Sequence, residues 1–244
     1  MVAGVLLAAA CGKDKAEPAR PALSGTRWQL ERFADQMGDT TYPVWQGDTL
    51  RYWIQFDANH VVRGGGVNRL MGTWAASGDT VNIAMGAMTD IYDATGFEER
   101  LLASINGSHP YSVRDGRLTI HFATLASGLC TVEFRLTDDG SACGATDPLA
   151  ELPWLRKAKE EMVESGLGSA ISICKYDGDR DGFLLAWCVD CPDAGMAFTD
   201  CEGNPKGTLW GLAGLGYEAF NIDPESVINI WSSDDNDIFS NSEL

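Results

Sequence analysis

Apolar and polar residues alternate along four segments of the first half of the chain. The segments are Tyr52–Phe56, Val81–Met85, Leu118–Phe122 and Val132–Leu136. Such alternation predicts half-buried strands of an antiparallel sheet, because successive side chains of a strand point to opposite faces. Turn-forming residues follow or precede these segments at Asp57-Ala58-Asn59, Ser77-Gly78-Asp79 and Arg114-Asp115-Gly116.

One helical segment interrupts these strands. Phe97, Leu101, Leu102 and Ile105 fall on one helix face, and Asn106-Gly107 ends the segment. We therefore predict that residues 23–137 form a mostly antiparallel β domain with one helix packed on the sheet.

The second half changes pattern after a stretch rich in small and polar residues at 138–147. A helix is predicted to begin near Pro153 and to end at Ser165-Gly166-Leu167-Gly168. Strands are predicted at 170–176, 183–189, 196–199 and 227–231. We therefore predict that residues 148–231 form a small α+β domain and that residues 232–244 form an acidic tail. The whole chain is predicted to be of the α+β class.

The N-terminus has the pattern of an export signal. Met1 to Ala10 are nearly all apolar, and Ala8-Ala9-Ala10 leads into Cys11. This run is too short to span a bilayer but is typical of a signal peptide, and its end resembles the lipobox of bacterial lipoproteins. The resemblance implies a lipid on Cys11, a signal and tether at 1–22, and an outer-membrane-anchored lipoprotein of the bacterial envelope that faces the periplasm or the cell surface.

Several landmarks of the first domain occur in a familiar order. They are Leu23–Leu30, Gly64–Trp74, Gly86-Ala87-Met88-Thr89, Glu98–Leu102 and Tyr111–Leu118. Their succession resembles the META domain, also called the HslJ-type domain, of bacterial envelope proteins. The resemblance implies a link to envelope stress and antibiotic tolerance, without established catalytic chemistry. The family usually has cysteine where this chain has Val67, and it has a second cysteine after the Met-Thr stretch that is absent here.

The glycine run of this region needs a local explanation. Gly64, Gly65 and Gly66 predict a bulge or a close backbone approach, since glycine tolerates positive φ angles. Asn68 is expected to bond to its own turn. We interpret the segment as a structural corner rather than a ligand site.

The second domain also has recognisable landmarks. Pro148–Leu155, Asp200–Asn204 and Ile230-Trp231 resemble an uncharacterised C-terminal domain of Bacteroides-type lipoproteins. The resemblance implies no activity.

The charge balance excludes one class of partner. The chain has 18 lysines and arginines against 35 aspartates and glutamates, a formal net charge of −17. Such a surface repels phosphate backbones, so we expect no nucleic-acid partner.

Export determines how the cysteines are interpreted. Six remain besides Cys11: Cys130, Cys143, Cys174, Cys188, Cys191 and Cys201. An even number in an oxidising compartment predicts disulfides. We expect these to crosslink the small second domain, with candidates Cys174, Cys188, Cys191 and Cys201 and with Cys201 paired to Cys188 or Cys191.

Two other cysteine chemistries stay open. Cys188 and Cys191 form a Cys-x-x-Cys motif at the end of an apolar strand, as in thiol oxidoreductases, although Pro192 and Asp193 are turn residues rather than helix formers. A zinc site of Cys174, Cys188, Cys191 and Cys201 has the right number of ligands but an unusual spacing.

A short acidic run suggests calcium. Asp177, Asp179 and Asp181, followed by Gly182, match the opening of a calcium loop. The last loop position is Cys188 instead of glutamate, and Arg180 adds a positive charge. A polar hairpin turn is the alternative, and otherwise we expect no cofactor.

The sequence offers few candidates for catalytic residues. His60, His109 and His121 show no metal-ligand spacing, and the chain has no nucleophile elbow. We therefore predict a non-enzymatic envelope lipoprotein, a binding or stress-protective module that contacts the membrane through its lipid and binds a protein or a small molecule. The alternatives are an envelope thiol-disulfide protein using Cys188 and Cys191, and a lipocalin-like carrier of apolar ligands, suggested by the echo of Gly25–Trp28 in Gly72–Trp74.

Overall fold

The fold is described from a computed structural model. It describes residues 23–43, 52–87, 96–124, 128–188, 194–210 and 215–233, together with positions 89, 91, 93 and 191. Within them the strands form two separate antiparallel sheets. We call the first the barrel and the second, with its helices, the C-terminal unit.

The barrel is a closed sheet of eight strands. Its elements are β1 Thr26–Ala34, β2 Thr40–Thr41, β3 Trp53–Phe56, β4 Val61–Gly65, β5 Arg69–Ser77, β6 Thr80–Ala87, α1 Phe97–Ile105, β7 Gly107–Arg114, β8 Arg117–Thr124 and β9 Gly128–Asp138. Neighbours follow the order β1-β3-β4-β5-β6-β7-β8-β9, and β9 pairs back with β1 to close the barrel, while β2 pairs only with the end of β1. Closure leaves no free edge around these eight strands.

The barrel interior is filled by side chains. Trp28, Phe33, Phe56 and Phe134 are almost completely buried and belong to one apolar cluster. Helix α1 contributes Leu101 and Ile105 to the same cluster. An interior packed in this way does not favour the lipocalin-like ligand cavity, which needs open space within the strands.

The predicted strands and helix of this half are confirmed. All four alternating segments are strands, and α1 covers the residues whose helical spacing predicted it, with the Asn106 N–H donating to the Leu102 carbonyl at its end. Periodicity did not predict β4, β5 and β7, which carry glycine, proline or long polar side chains. Closure into a barrel was also not predicted, because it depends on the pairing of β1 with β9.

The C-terminal unit is a five-stranded sheet with two helices. Its elements are α2 Pro148–Glu151, α3 Pro153–Ser165, β10 Ser169–Tyr176, β11 Arg180–Trp187, β12 Gly195–Thr199, β13 Pro205–Trp210, a 3₁₀ turn Tyr217–Phe220 and β14 Ile222–Ser232. The strand order is β13-β12-β11-β10-β14. The predicted α+β class of this unit is confirmed, and Gly166 ends α3 with a φ of 65°, as its C-cap position predicted.

Both faces of this sheet are covered. Leu155 and Met162 of α3 pack on one face with Ile171 and Phe183. The 3₁₀ turn packs on the other face, where Cys174 is buried. No helix within the described residues is long and apolar enough to cross a membrane.

Candidate functional site

A buried carboxylate joins the two units. Asp57, in the turn after β3, is fully buried. The Arg63 guanidinium donates to both of its oxygens, from Nε at 2.7 Å and from Nη2 at 3.0 Å. The Gln55 amide at 2.9 Å and the backbone N–H of Asn229 at 3.0 Å also donate to Asp57 Oδ1. This carboxylate therefore bridges the barrel and strand β14, with four charge-assisted hydrogen bonds.

The partners of Asp57 also bind the C-terminal unit directly. Arg63 Nη2 and Gln55 Nε2 each donate to the carbonyl of Val227 at 3.0 Å. Burial lowers the pKa of Arg63, but the ion pair with Asp57 outweighs that effect and raises it overall. Polar side chains are therefore found on the outer face of β3 and β4 because they bind the backbone of β14, which covers them.

A cleft of about 690 Å³ opens beside this contact. The barrel half supplies most of its wall, and Pro224 and Glu225, at an irregularity in the pairing of β14, supply the rest. Its full lining is Arg27, Trp53, Gln55, Arg63, Gly64, Gly65, Gly66, Val67, Asn68, Arg69, Leu70, Met71, Thr89, Ile91, Pro224 and Glu225. Both the size and the position between two units are typical of ligand sites.

Arg27 connects Trp53, in the wall of the cleft, to the backbone of β14. The Arg27 guanidinium lies 3.9 Å from the centre of the Trp53 ring, a cation–π contact. Arg27 also donates a hydrogen bond to the carbonyl of Glu225. Burial lowers the pKa of Arg27, while Glu225 is the strongest of the nearby carboxylates that act in the opposite direction. Arg27 stays charged, as arginine does in proteins.

The glycine run exists because two aromatic rings lie against it. A Cβ on Gly65 would lie 2.4 Å from the Trp53 indole nitrogen, and a Cβ on Gly66 would lie 2.4 Å from the Tyr52 ring. The predicted close approach is thus confirmed. The expected positive φ is wrong, since Gly64, Gly65 and Gly66 all lie outside the positive-φ residues of the chain.

Asn68 organises the loop after this run. Its side-chain amide donates to Glu98 Oε1 at 2.5 Å and to the Ile91 carbonyl at 2.8 Å. Its oxygen accepts from Thr89 Oγ1 at 2.8 Å and from the Ile91 N–H at 2.7 Å. The expected bond to its own turn is wrong, because all these partners come from α1 and the segment before it. The corner interpretation of Asn68 fits this saturated network.

The cysteine pairing differs from the prediction in its partners. Cys143 is bonded to Cys201, with Cα atoms 5.4 Å apart, and Cys188 is bonded to Cys191. The preferred pairing of Cys201 with Cys188 or Cys191 is therefore wrong. The stretch that the sequence marked as a linker folds back on the unit, where Ala142 and Ala145 are buried and the Cys143 N–H donates to Asp181 at 2.6 Å.

Cys174 is wrong as a disulfide candidate. It has a free, buried thiol. Alternation along β10 puts Ile173 on the α3 face, where Cys143 packs, and Cys174 on the opposite face. Burial raises the pKa of the Cys174 thiol to about 12. The four-cysteine zinc site is therefore also wrong, since its other three members are in disulfides.

The carboxylates of Asp177, Asp179 and Asp181 do not converge on one point in this structure. Asp177 accepts from the Asn221 amide at 2.9 Å, and Asp181 pairs with Lys175. Among the described residues the one close group of potential metal ligands is Asp181 with Cys143 and Cys201, whose sulfurs are bonded to each other. Asp177 and Asp179 lie in the polar turn between β10 and β11, and β pairing places Asp181, in β11, beside Lys175. Calcium binding by these residues stays a prediction.

The predictions for the chain termini lie outside the described residues. These are the signal and tether at 1–22 with the lipid on Cys11, and the acidic tail at 232–244 apart from Ser232, which ends β14, and Ser233. They stay predictions.

Sequence reasoning missed the arginines of the cleft. Arg63 and Arg69 flank the glycine run, and Arg27 lies in the first strand. Their spacing around Gly64–Gly66, in a chain so rich in acidic residues, is a signal that could have drawn attention to this segment. Their meeting with Glu225, which is 198 residues from Arg27, depends on tertiary structure.

The barrel half of the chain matches one known family model. A family model described as META domain matches residues 21–129. No curated protein matches the chain. Among solved structures, one described as the NMR structure of a protein from Burkholderia xenovorans is 15% identical, with a TM-score of 0.38, over 47% of this chain and 83% of its own. Another NMR structure is 20% identical, with a TM-score of 0.36, over 48% of this chain and 92% of its own.

Proposed function

We propose that this protein, which carries a META domain at residues 21–129, is a non-enzymatic binding module of the bacterial cell envelope. It is held at the membrane by a lipid on Cys11 and binds its partner in the cleft between the barrel and the C-terminal unit. The cleft carries this proposal, because it is built by two units, and the buried Asp57–Arg63 pair of the barrel is hydrogen-bonded to the backbone of β14 in the other unit.

The chemistry of the cleft supports binding rather than turnover. Its described lining contains no histidine, cysteine, serine or tyrosine side chain. The Thr89 hydroxyl is committed to the Asn68 oxygen, and the Gln55 amide to Asp57 and Val227. A nucleophile beside a general base, which acyl or phosphoryl chemistry needs, is not part of this lining.

A stress-protective role follows from the same arrangement. A module tethered at the membrane can bind a ligand without changing it, and so lower the ligand's free concentration. The association of META domains with envelope stress is consistent with that role.

The first test concerns the anchor. In a bacterial host fed a clickable palmitate analogue, we expect the full chain to incorporate label and to sediment with membranes. Cys11→Ser should abolish both, since the acylated atom is the Cys11 sulfur. An unlabelled wild-type chain that fractionates with the cytosol contradicts the envelope location.

The same protein, purified, tests the binding module. A library of small fragments is screened by the rise in melting temperature, since ligands that bind only the folded state stabilise it. Met71→Trp is the control, because it places a large ring in the cleft while leaving the Asp57 ion pair intact. Fragments that stabilise both proteins equally, or turnover on a hydrolase panel, contradict the proposal.

A second candidate function is thiol–disulfide exchange. Cys191 is exposed, Cys188 is half-buried, and their disulfide lies in the turn between β11 and β12. A substrate dithiol would attack one sulfur, form a mixed disulfide, and leave as a disulfide. Two electrons and two protons then reside on Cys188 and Cys191. Among the described residues the element that follows is β12, whereas a helix N-terminus is what lowers the thiol pKa in many oxidoreductases.

The order of reduction tests this candidate. In glutathione buffers of falling potential, we expect Cys188–Cys191 to open before Cys143–Cys201, because reducing the long bridge also sacrifices folding free energy. Alkylation followed by peptide mapping measures both, and the buried Cys174 thiol should stay unlabelled in the native protein. Simultaneous reduction of the two bridges, or loss of the native fold when Cys188–Cys191 opens, argues against exchange.

A further inference from the structure

The cleft has the opposite charge to the rest of the protein. Among the described residues, its lining carries three guanidinium groups, Arg27, Arg63 and Arg69, against one carboxylate, Glu225. The whole chain has a formal net charge of −17. A cationic cleft in an anionic protein selects by charge, because the remaining surface repels the ligands that the cleft attracts.

The three arginines differ in what already binds them. Arg63 is paired with Asp57. Arg27 contacts the Trp53 ring and a backbone carbonyl, and no ion pair is found for it within the described residues. Arg69 is exposed, and its guanidinium has no partner in the part of the chain that the structure describes. Arg27 and Arg69 therefore keep N–H donors for a ligand.

Apolar groups surround these donors. Ile91 is 59% exposed on the cleft, an unusual position for isoleucine. Met71, Val67 and Pro224 line the same space, together with Trp53. Such a mixture of apolar wall and few polar groups is typical of sites for small organic molecules.

We infer that the cleft binds a small organic carboxylate with an apolar body, its carboxylate held by Arg27 and Arg69 and its body lying on Trp53, Met71 and Ile91. A guanidinium and a carboxylate match each other in planar, two-bonded geometry. The inference rests on the proposed binding cleft and names the ligand class for it.

A second groove of about 800 Å³ provides the contrast. It lies along α3, and its lining includes Arg156 and Lys159 but also Asp147, Glu160 and Glu164. Acidic residues outnumber basic ones there. Charge therefore distinguishes the first cleft from the second, and Arg156 supplies a matched control.

Calorimetry with defined probes tests the inference. Full-length protein is titrated with naphthoate, with naphthamide, which has the same rings without the charge, and with inorganic phosphate. We expect naphthoate to bind about tenfold more tightly than naphthamide, since a charge-assisted hydrogen bond outweighs a neutral one. Arg69→Gln should weaken naphthoate about three- to tenfold, and Arg156→Gln, which removes the same charge elsewhere, less than about twofold. Arg27→Gln is a second variant, and melting temperatures confirm that each variant is folded.

Three results would overturn the inference. Equal binding of naphthoate and naphthamide means that the cleft does not recognise charge. Displacement of naphthoate by phosphate at equal concentration means that the site takes inorganic anions generally. An equal loss in Arg69→Gln and Arg156→Gln means that net charge, and not the cleft, sets the affinity. Fragment binding that Met71→Trp blocks would still stand in each case, so these failures are distinguishable from failure of the proposed function.

Discussion

Replacing Asp57 by alanine is expected to lower the free energy of unfolding by about 3–5 kcal/mol, because it breaks a buried ion pair from one side. Asp57 is fully buried, and its oxygens accept four hydrogen bonds. Alanine would remove the carboxylate that pairs with the Arg63 charge under β14. A buried charge without a partner costs more than the pair contributed.

The position of Asp57 between the units gives the prediction a second part. Asp57 accepts from the Asn229 N–H, and its partner Arg63 donates to the Val227 carbonyl, so the pair joins the barrel to β14. Loss of the carboxylate should therefore destabilise both units together. Asp57→Asn should be intermediate in stability, since it keeps the volume and loses the charge.

Urea unfolding followed by tryptophan fluorescence measures this effect. Glu164→Ala is the control, because it removes an exposed carboxylate from α3 and should change stability by less than about 0.5 kcal/mol. An Asp57→Ala protein as stable as that control would show that the ion pair does not hold the units together.

Removing the Cys143–Cys201 disulfide is expected to cost about 2–4 kcal/mol. The bridge joins residues 58 positions apart and connects the segment after β9 to the turn between β12 and β13. Crosslinks that close long loops restrict the unfolded chain most. The double variant Cys143→Ser/Cys201→Ser keeps the backbone hydrogen bond from position 143 to Asp181 available, so the loss reports mainly on the crosslink.

The second disulfide supplies the control for this prediction. Cys188 and Cys191 are 3 positions apart. In the loop-closure model the long bridge contributes about 2–3 kcal/mol more than the short one. Both double variants are compared with wild type by urea unfolding without reductant. Equal losses would show that loop length is not the source of the stabilisation.

Local pattern was sufficient for most of the elements. Alternation at Leu118–Phe122 and Val132–Leu136 predicted β8 and β9, and the spacing of Leu101 and Ile105 predicted α1. These predictions succeeded because an apolar face must be buried wherever the element packs. The strands β4 and β5 were missed, since their glycines and arginines serve contacts with distant residues.

The candidate site depended far more on tertiary structure. Gly65 was expected to be needed for close approach, but the ring that approaches it, Trp53, could not be identified from spacing. Six cysteines permitted 15 complete pairings, and the predicted crosslinks did not include Cys143, which lies in the stretch interpreted as a linker.

The sequence by itself determined the alternating strands, the two longer helices, the acidic charge and the META-like order of landmarks. Each of these depends on residue types or on residues that are close together along the chain. Tertiary structure alone decided the closure of the barrel by β1 and β9, the Asp57–Arg63 contact under β14, the Cys143–Cys201 bridge and the cationic cleft. Each of these joins residues that are separated in sequence or covered by another element. Their proximity follows from how the elements pack and pair, which local periodicity does not record.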